Sequence, residues 1–263
     1  MTGDAAGRRI PLVLLPGTLC DAELWQHQTQ HLADIAAPFV GDVGRDASIA
    51  GMAERVLQAV PSRFALAGLS MGGIVAFEIL RRAHERVVAL ALLNTNPSLP
   101  DDNQIAVWHE EIEMTESGHF EDFVEERWIP SVLEAGESRG GSLRDAIRGM
   151  AHRVGPKSYV RQLQAQIGRP DSWSSLPAIT CPTLVLGGRQ DTMCSPTLHE
   201  AMAAAIPGAR LAIMEDCGHL STLEQPEVVT AILRDWLEGV IDCRMAESPG
   251  EASRAPSLVE QHA

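Results

Sequence analysis

Short runs of apolar residues alternate along this chain with stretches whose apolar positions recur at the three-to-four spacing of a helix. The runs 10–15, 38–43, 64–67, 87–93, 183–186 and 210–214 predict about six strands, of which 38–43 is the weakest. Between them, 21–32, 48–60, 73–82, 196–206 and 226–237 predict helices. Asp21, Ser48 and Ser195 stand where side chains can accept from first-turn amides, Pro196 suits the first helical position, and Gly239 is expected to end the last helix. Strands alternating with helices imply parallel pairing through right-handed crossovers. The expected class is therefore α/β, a mostly parallel sheet with helices on both faces.

The stretch from 98 to 179 breaks that rhythm, with no convincing strand and with Trp108, Phe120, Phe123, Trp128, Tyr159 and Trp173. From 98 to 137 there are twelve acidic residues and one arginine, Arg127; from 138 to 180 there are two acidic and seven basic residues. The plainer reading is two helical pieces whose opposite charges face each other or solvent. The sharper one brings some of Arg144, Arg148 and Arg161 to a site where they hold an anionic group, with Trp108 and Trp128 lining an apolar pocket. Beyond Cys243 the chain turns to Glu, Ser, Pro, Gly and Ala, which predicts a disordered tail over 243–263.

A chain of 263 residues with 45% apolar content can bury one large core. Its net charge of 21 − 35 = −14 disfavours nucleic acid and anionic membrane surfaces as partners. No stretch approaches the length of a membrane span. Arg8 and Arg9 precede an apolar run, but Pro16-Gly17 cuts it too short for a secretory signal. Five cysteines (Cys20, Cys181, Cys194, Cys217, Cys243) form no C-x-x-C pair, which points to reduced thiols and a cytoplasmic protein. His27 and His31 share a helix face at metal-like spacing but lack a third ligand, so no metal and no other cofactor is expected.

The chemistry concentrates at Gly68-Leu69-Ser70-Met71-Gly72, between an apolar strand run and a helical pattern. Such a string arises by chance in loops; the strand before it and the helix after it give it meaning. A serine joining strand directly to helix takes a strained backbone, and its hydroxyl projects beside a helix N-terminus that favours developing negative charge. Ser70 is thus a candidate nucleophile, but a hydroxyl needs a base. Among nine histidines, His219 follows a strand run in the loop Glu215-Asp216-Cys217-Gly218, where a parallel sheet forms its ligand crevice. The base needs an acid to hold its tautomer, and Asp191 follows the run that leaves through Gly187 and Gly188. The alternative place after 87–93 holds Asn94-Thr95-Asn96, without a carboxylate, and Asp101 and Asp102 rank behind. An oxyanion needs two donors: the Met71 amide at the helix start, and the Thr18 amide after Gly17, with Leu19 as the fallback and as a further substrate contact.

These residues resemble the α/β-hydrolase family, on Leu15-Pro16-Gly17-Thr18, Gly68 to Gly73, Gly187-Gly188-Arg189-Gln190-Asp191 and Gly218-His219, in the family's order of serine, acid and histidine. The family often has His-Gly where this chain has Pro16-Gly17, and its usual Asp-x-x-Gly-x-Gly-x-Ser loop is replaced by 42–48. The resemblance implies Ser70 as nucleophile, His219 as base, Asp191 as acid, and Thr18 and Met71 as oxyanion donors. It further implies core segments 1–97 and 180–242 with a helical cap, 98–179, inserted before the acid strand. The implied activity is hydrolysis of a small-molecule carboxylic ester through an acyl-enzyme. Thioester hydrolysis, lactone opening and acyl transfer remain open at the same residues, as does a non-catalytic binding role.

Overall fold

Strands that read as unbroken apolar runs rather than as alternating patterns should be covered on both faces. The computed structural model, which describes residues 9–133 and 141–246 with side chains to 242, has that arrangement. Six strands, β1 (Ile10–Leu15), β2 (Ala36–Val40), β3 (Phe64–Leu69), β4 (Val87–Leu93), β5 (Thr183–Gly188) and β6 (Arg210–Met214), form one sheet in the order β2-β1-β3-β4-β5-β6. Every neighbouring pair is parallel. All six residues of β3 and all six of β5 are buried.

Alternate residues of each strand feed two separate cores. Leu12, Leu14, Ala65, Ala67 and Leu69 face one side, where α1 (Gln26–His31) and α10 (Pro226–Ala246) lie and where Leu32, Val229 and Leu233 join them. Val13, Leu15, Phe64 and Leu66 face the other, against Met52 and Val56 of α2 (Ile49–Ala59), Ile74 and Phe77 of α3 (Met71–Ala83), and Met202 of α8 (Pro196–Ala205). Each such side chain, fully buried, contributes about 1.5–3 kcal/mol, so the two cores dominate the stability.

Local signals hold where a cap decides them. Ser48 accepts from the Gly51 amide and Ser195 from the Leu198 amide. Three element bounds differ from the sequence reading. The helix expected over 21–32 is a 3-10 turn, Ala22–Trp25, followed by α1, with Asp21 accepting from the Glu23 amide. The second strand lies at Ala36–Val40 rather than 38–43. Gly239 does not end α10, which runs to Ala246 because Val229, Leu233, Trp236 and Val240 extend one buried stripe past it. The first four residues of the expected tail are therefore helical, and 247–263 lie outside the described residues.

Between β4 and β5 the described residues form helices and no strand: α4 (Asp102–Glu116), α5 (Phe120–Phe123), a π turn at Val124–Trp128, α6 (Ile129–Leu133) and α7 (Gly141–Ile167). Residues 134–140 of the expected cap lie outside the description. Helix α7 kinks at Gly155, whose φ is 75°, just before Pro156. Phe120, Phe123, Tyr159 and Leu163 join the core on the α1/α10 side of the sheet. The acidic and basic halves do meet in part, through Arg148 with Glu125 and His152 with Glu121 (3.1 Å).

Candidate active site

Because all strands run the same way, the loops after β1, β3, β4, β5 and β6 leave one rim of the sheet. Register aligns Leu15 with Gly68, and Leu69 with Leu93. Ser70 is the single residue between β3 and α3, and its backbone sits at φ 55°, ψ −120°, a conformation that non-glycine residues rarely adopt. Neighbours over-determine it. The Ser70 amide donates to the Leu93 carbonyl at 2.9 Å, and the Thr95 hydroxyl donates to the Ser70 carbonyl at 2.7 Å. The turn closes only because two flanking residues lack a Cβ: one on Gly68 would lie 2.4 Å from the Gly72 carbonyl oxygen, and one on Gly72 would lie 2.1 Å from that of Leu15.

The Ser70 Oγ lies 3.0 Å from His219 Nε2, and His219 Nδ1 lies 3.0 Å from Asp191 Oδ2. A carboxylate facing Nδ1 holds the proton on that nitrogen, which leaves the Nε2 lone pair for the serine hydroxyl. Asp191 is 3% exposed. Burial opposes its charge, yet His219, the Asn94 amide and the Cys194 N–H together hold its carboxyl below the usual range. Asn94 Nδ2 donates to Oδ2 at 2.9 Å, and the Met193 and Cys194 amides donate to Oδ1, each at 2.9 Å.

Two side chains, the buried Glu224 and the exposed Gln190, fasten the loops that carry these groups. Glu224, at the end of α9 (Ser221–Glu224), accepts from the Gly218 amide at 2.7 Å and from the Leu220 amide at 3.0 Å, gripping both sides of His219. Gln190 accepts from the Cys217 amide at 2.9 Å, tying the Asp191 loop to the His219 loop. Asn94 is the larger surprise, since its place in sequence offers no carboxylate. It supports the acid instead of replacing it, and its second hydrogen, bonded to the Gly218 carbonyl at 3.1 Å, reaches the histidine's loop. Its left-handed φ of 44° suits asparagine.

The loop after β1 comes against Ser70: a Cβ on Gly17 would lie 3.2 Å from the Ser70 Cβ. Thr18 lines the cavity over Ser70, its hydroxyl accepting from Gln166 Nε2 at 3.0 Å. Met71 opens α3, where the amide has no intrahelical acceptor. The Leu19 amide is taken by Gln162 Oε1 at 3.1 Å, and its side chain is fully buried in the core away from the cavity. Both its amide and its side chain thus face away from the cavity, at a residue whose φ is 52°.

Ser70 and His219 open into a cavity of about 440 Å³, whose walls include Trp108, Trp128, Tyr159, Arg127 and Arg169. Both tryptophans singled out in sequence are there. The arginines are not. Arg148 forks onto Glu125 and bonds Asp145, Arg161 donates to the Gly44 carbonyl at 3.0 Å, and Arg144 stands outside the cavity wall. These three lie on faces of α7 that meet acidic or backbone partners, an assignment that charge spacing does not reveal. Glu111, also on the wall, accepts from the Tyr159 hydroxyl at 2.8 Å; burial raises its carboxyl despite that bond and Arg127.

His27 and His31 stack at 4.0 Å, and His27 Nδ1 bonds the Thr230 hydroxyl at 2.7 Å. Among the described residues the one group of metal-ligand type is Asp191, Cys194 and His219, whose ring nitrogens already face Asp191 and Ser70. No helix among the described residues is long and apolar enough to cross a membrane.

Comparison with known proteins agrees with this architecture. The family profile described as "Alpha/beta hydrolase family" matches residues 12–232. The chain is 24% identical over 249 residues to a pimeloyl-[acyl-carrier protein] methyl ester esterase of Aromatoleum aromaticum, covering 88% of this chain and 99% of that protein. The structure of a thermophilic esterase from Thermogutta terrifontis, malate bound, superposes with a TM-score of 0.81 at 30% identity, covering 88% of this chain and 90% of that one. The enol-lactonase from Burkholderia xenovorans LB400, at 21% identity and a TM-score of 0.78, covers 90% of this chain and 94% of its own, and shares the fold. With that profile spanning the sheet and all three site loops, this chain belongs to the alpha/beta hydrolase family and is a hydrolase.

Proposed function

We propose that this protein hydrolyses a carboxylic ester of a small molecule through an acyl-enzyme formed on Ser70. His219 Nε2 takes the hydroxyl proton as Oγ bonds to the carbonyl carbon, and the carbonyl oxygen becomes an oxyanion. The amides of Thr18 and Met71 stabilise that charge. The C–O bond to the alcohol then breaks and His219 returns the proton to the departing oxygen. A water molecule, deprotonated by the same nitrogen, attacks the acyl carbon; Ser70 leaves with its proton restored and the acid is released. Asp191 holds the ring's tautomer and balances the imidazolium in both halves.

One observation carries this reading: the unbroken hydrogen-bonded series Asp191–His219–Ser70 at 3.0 Å per step, opening into a cavity. Likeness to proteins named as esterases adds support. In the same reading, 98–179 is a helical cap that supplies the cavity's outer wall through Trp108, Trp128 and Tyr159, set on a core of 1–97 and 180–242. Ser70→Ala tests it. Hydrolysis of a short p-nitrophenyl ester should fall by about 10⁴-fold or more, fluorophosphonate labelling should vanish, and the thermal midpoint should hold. Equal turnover in the two proteins would discard the assignment.

A further inference from the structure

Several arginines on this protein's surface have acid partners, among them Arg55 with Asp46, Arg148 with Glu125, Arg153 with Asp21, Arg189 with Glu215 and Arg234 with Asp34. In a chain with fourteen excess negative charges, that is what chance and Coulomb attraction produce. Arg169 differs. It is only 4% exposed, it lines the same cavity as Ser70 and His219, and none of the described carboxylates pairs with it.

Its contacts are those of a held but uncompensated cation. Nε donates to the Ser98 carbonyl at 2.8 Å, and the guanidinium carbon sits 5.5 Å over the Trp108 ring. Both fix the plane of the group, and neither cancels its charge. With Nε engaged, the two terminal nitrogens remain as an end-on fork, the geometry that matches a carboxylate. Burial works against the ionised form, pulling its pKa down, so a charge kept here has a cost that a counter-ion in the cavity would relieve. The cavity's other charged groups do not supply one. Glu111 is already bonded by Tyr159 and faces Arg127, which leaves Arg169 as the site of net positive charge.

We propose that Arg169 receives a carboxylate of the substrate, so that the natural substrate class is an ester bearing a second, ionised carboxyl group, such as the monoester of a dicarboxylic acid. This inference rests on the ester-hydrolase reading and narrows it. A single buried guanidinium neutralises one negative charge, which favours a carboxylate over a phosphate dianion.

The test compares kcat/KM on monomethyl glutarate with that on methyl hexanoate, its neutral counterpart, in wild type, Arg169→Gln and Arg169→Lys. The acidic-to-neutral ratio should favour the acidic ester in wild type and fall by roughly 10- to 100-fold in Arg169→Gln, with Arg169→Lys recovering part of it. A ratio that is unchanged by Arg169→Gln, or that favours methyl hexanoate in wild type, would overturn the proposal. Should that variant fail to fold, calorimetric titration of wild type with glutarate decides independently of turnover: glutarate should bind while glutaramide does not, and absence of glutarate binding sinks the idea. Failure of the underlying reading looks different, since neither ester would then be cleaved and the fluorophosphonate would not label Ser70.

Discussion

At the scale of single residues, Asp191 is held by more than its contact with His219 alone. Asp191 accepts from Asn94, Met193, Cys194 and His219 while fully buried. Its folded pKa lies below the ordinary 3.8, so its bonds stabilise the protein above that value and lose this contribution as pH falls through the lower folded one. Thermal midpoints of wild type should therefore drop below about pH 4, and Asp191→Asn should flatten part of that acid limb. The same variant should lose several orders of magnitude in turnover, because an amide does not hold the Nδ1 proton in place. Asn94→Ala removes one donor to Asp191 and strands the Gly218 carbonyl, at a cost of about 1–3 kcal/mol in chemical denaturation and with lower kcat. That Ser70, His219 and Asp191 should stand together was readable from motif and order; that Asn94, Glu224 and Arg169 join their surroundings was not. Their roles depend on which loop lies opposite, and chain spacing carries no such information.

At the scale of elements, glycine has opposite meanings in two places. Gly72 touches the Leu15 backbone so closely that Gly72→Ala must push β1 and α3 apart, and we expect little soluble protein on expression. Gly239 has open space around it inside α10. Gly239→Ala should stabilise the protein by about 1 kcal/mol, seen as a raised thermal midpoint with activity intact. In sequence Gly72 belongs to the turn at Ser70 and Gly239 reads as a helix end, and only the first reading survives. The strands were legible because double-sided burial makes them uniformly apolar. The bounds of α1, β2 and α10 were not, because packing of Trp25, Leu32 and Val240 overrides the local end signals.

At the scale of the whole molecule, Cys20 and Cys217 lie in the buried interior while the buried Cys194 lines the cavity, and burial raises the Cys20 and Cys194 thiols. Cys20 and Cys217 should resist a thiol reagent in the native state and react only across the global unfolding transition, as a titration in increasing urea would show; reaction of both without denaturant would contradict the packing. What the sequence by itself determined is the α/β order, the double-covered parallel sheet and the choice of Ser70, Asp191 and His219 as candidates, which the fold brings within hydrogen-bonding distance. All of these follow from local periodicity and from motifs a few residues long. The tertiary structure alone decided which side chains meet across that rim: Asn94 beneath the acid, Gln162 on the Leu19 amide, Arg169 in the cavity while Arg144, Arg148 and Arg161 turn away. The reason is physical. Such contacts join residues from about 30 to more than 140 positions apart, and they are set by how two cores pack rather than by anything a neighbouring residue imposes.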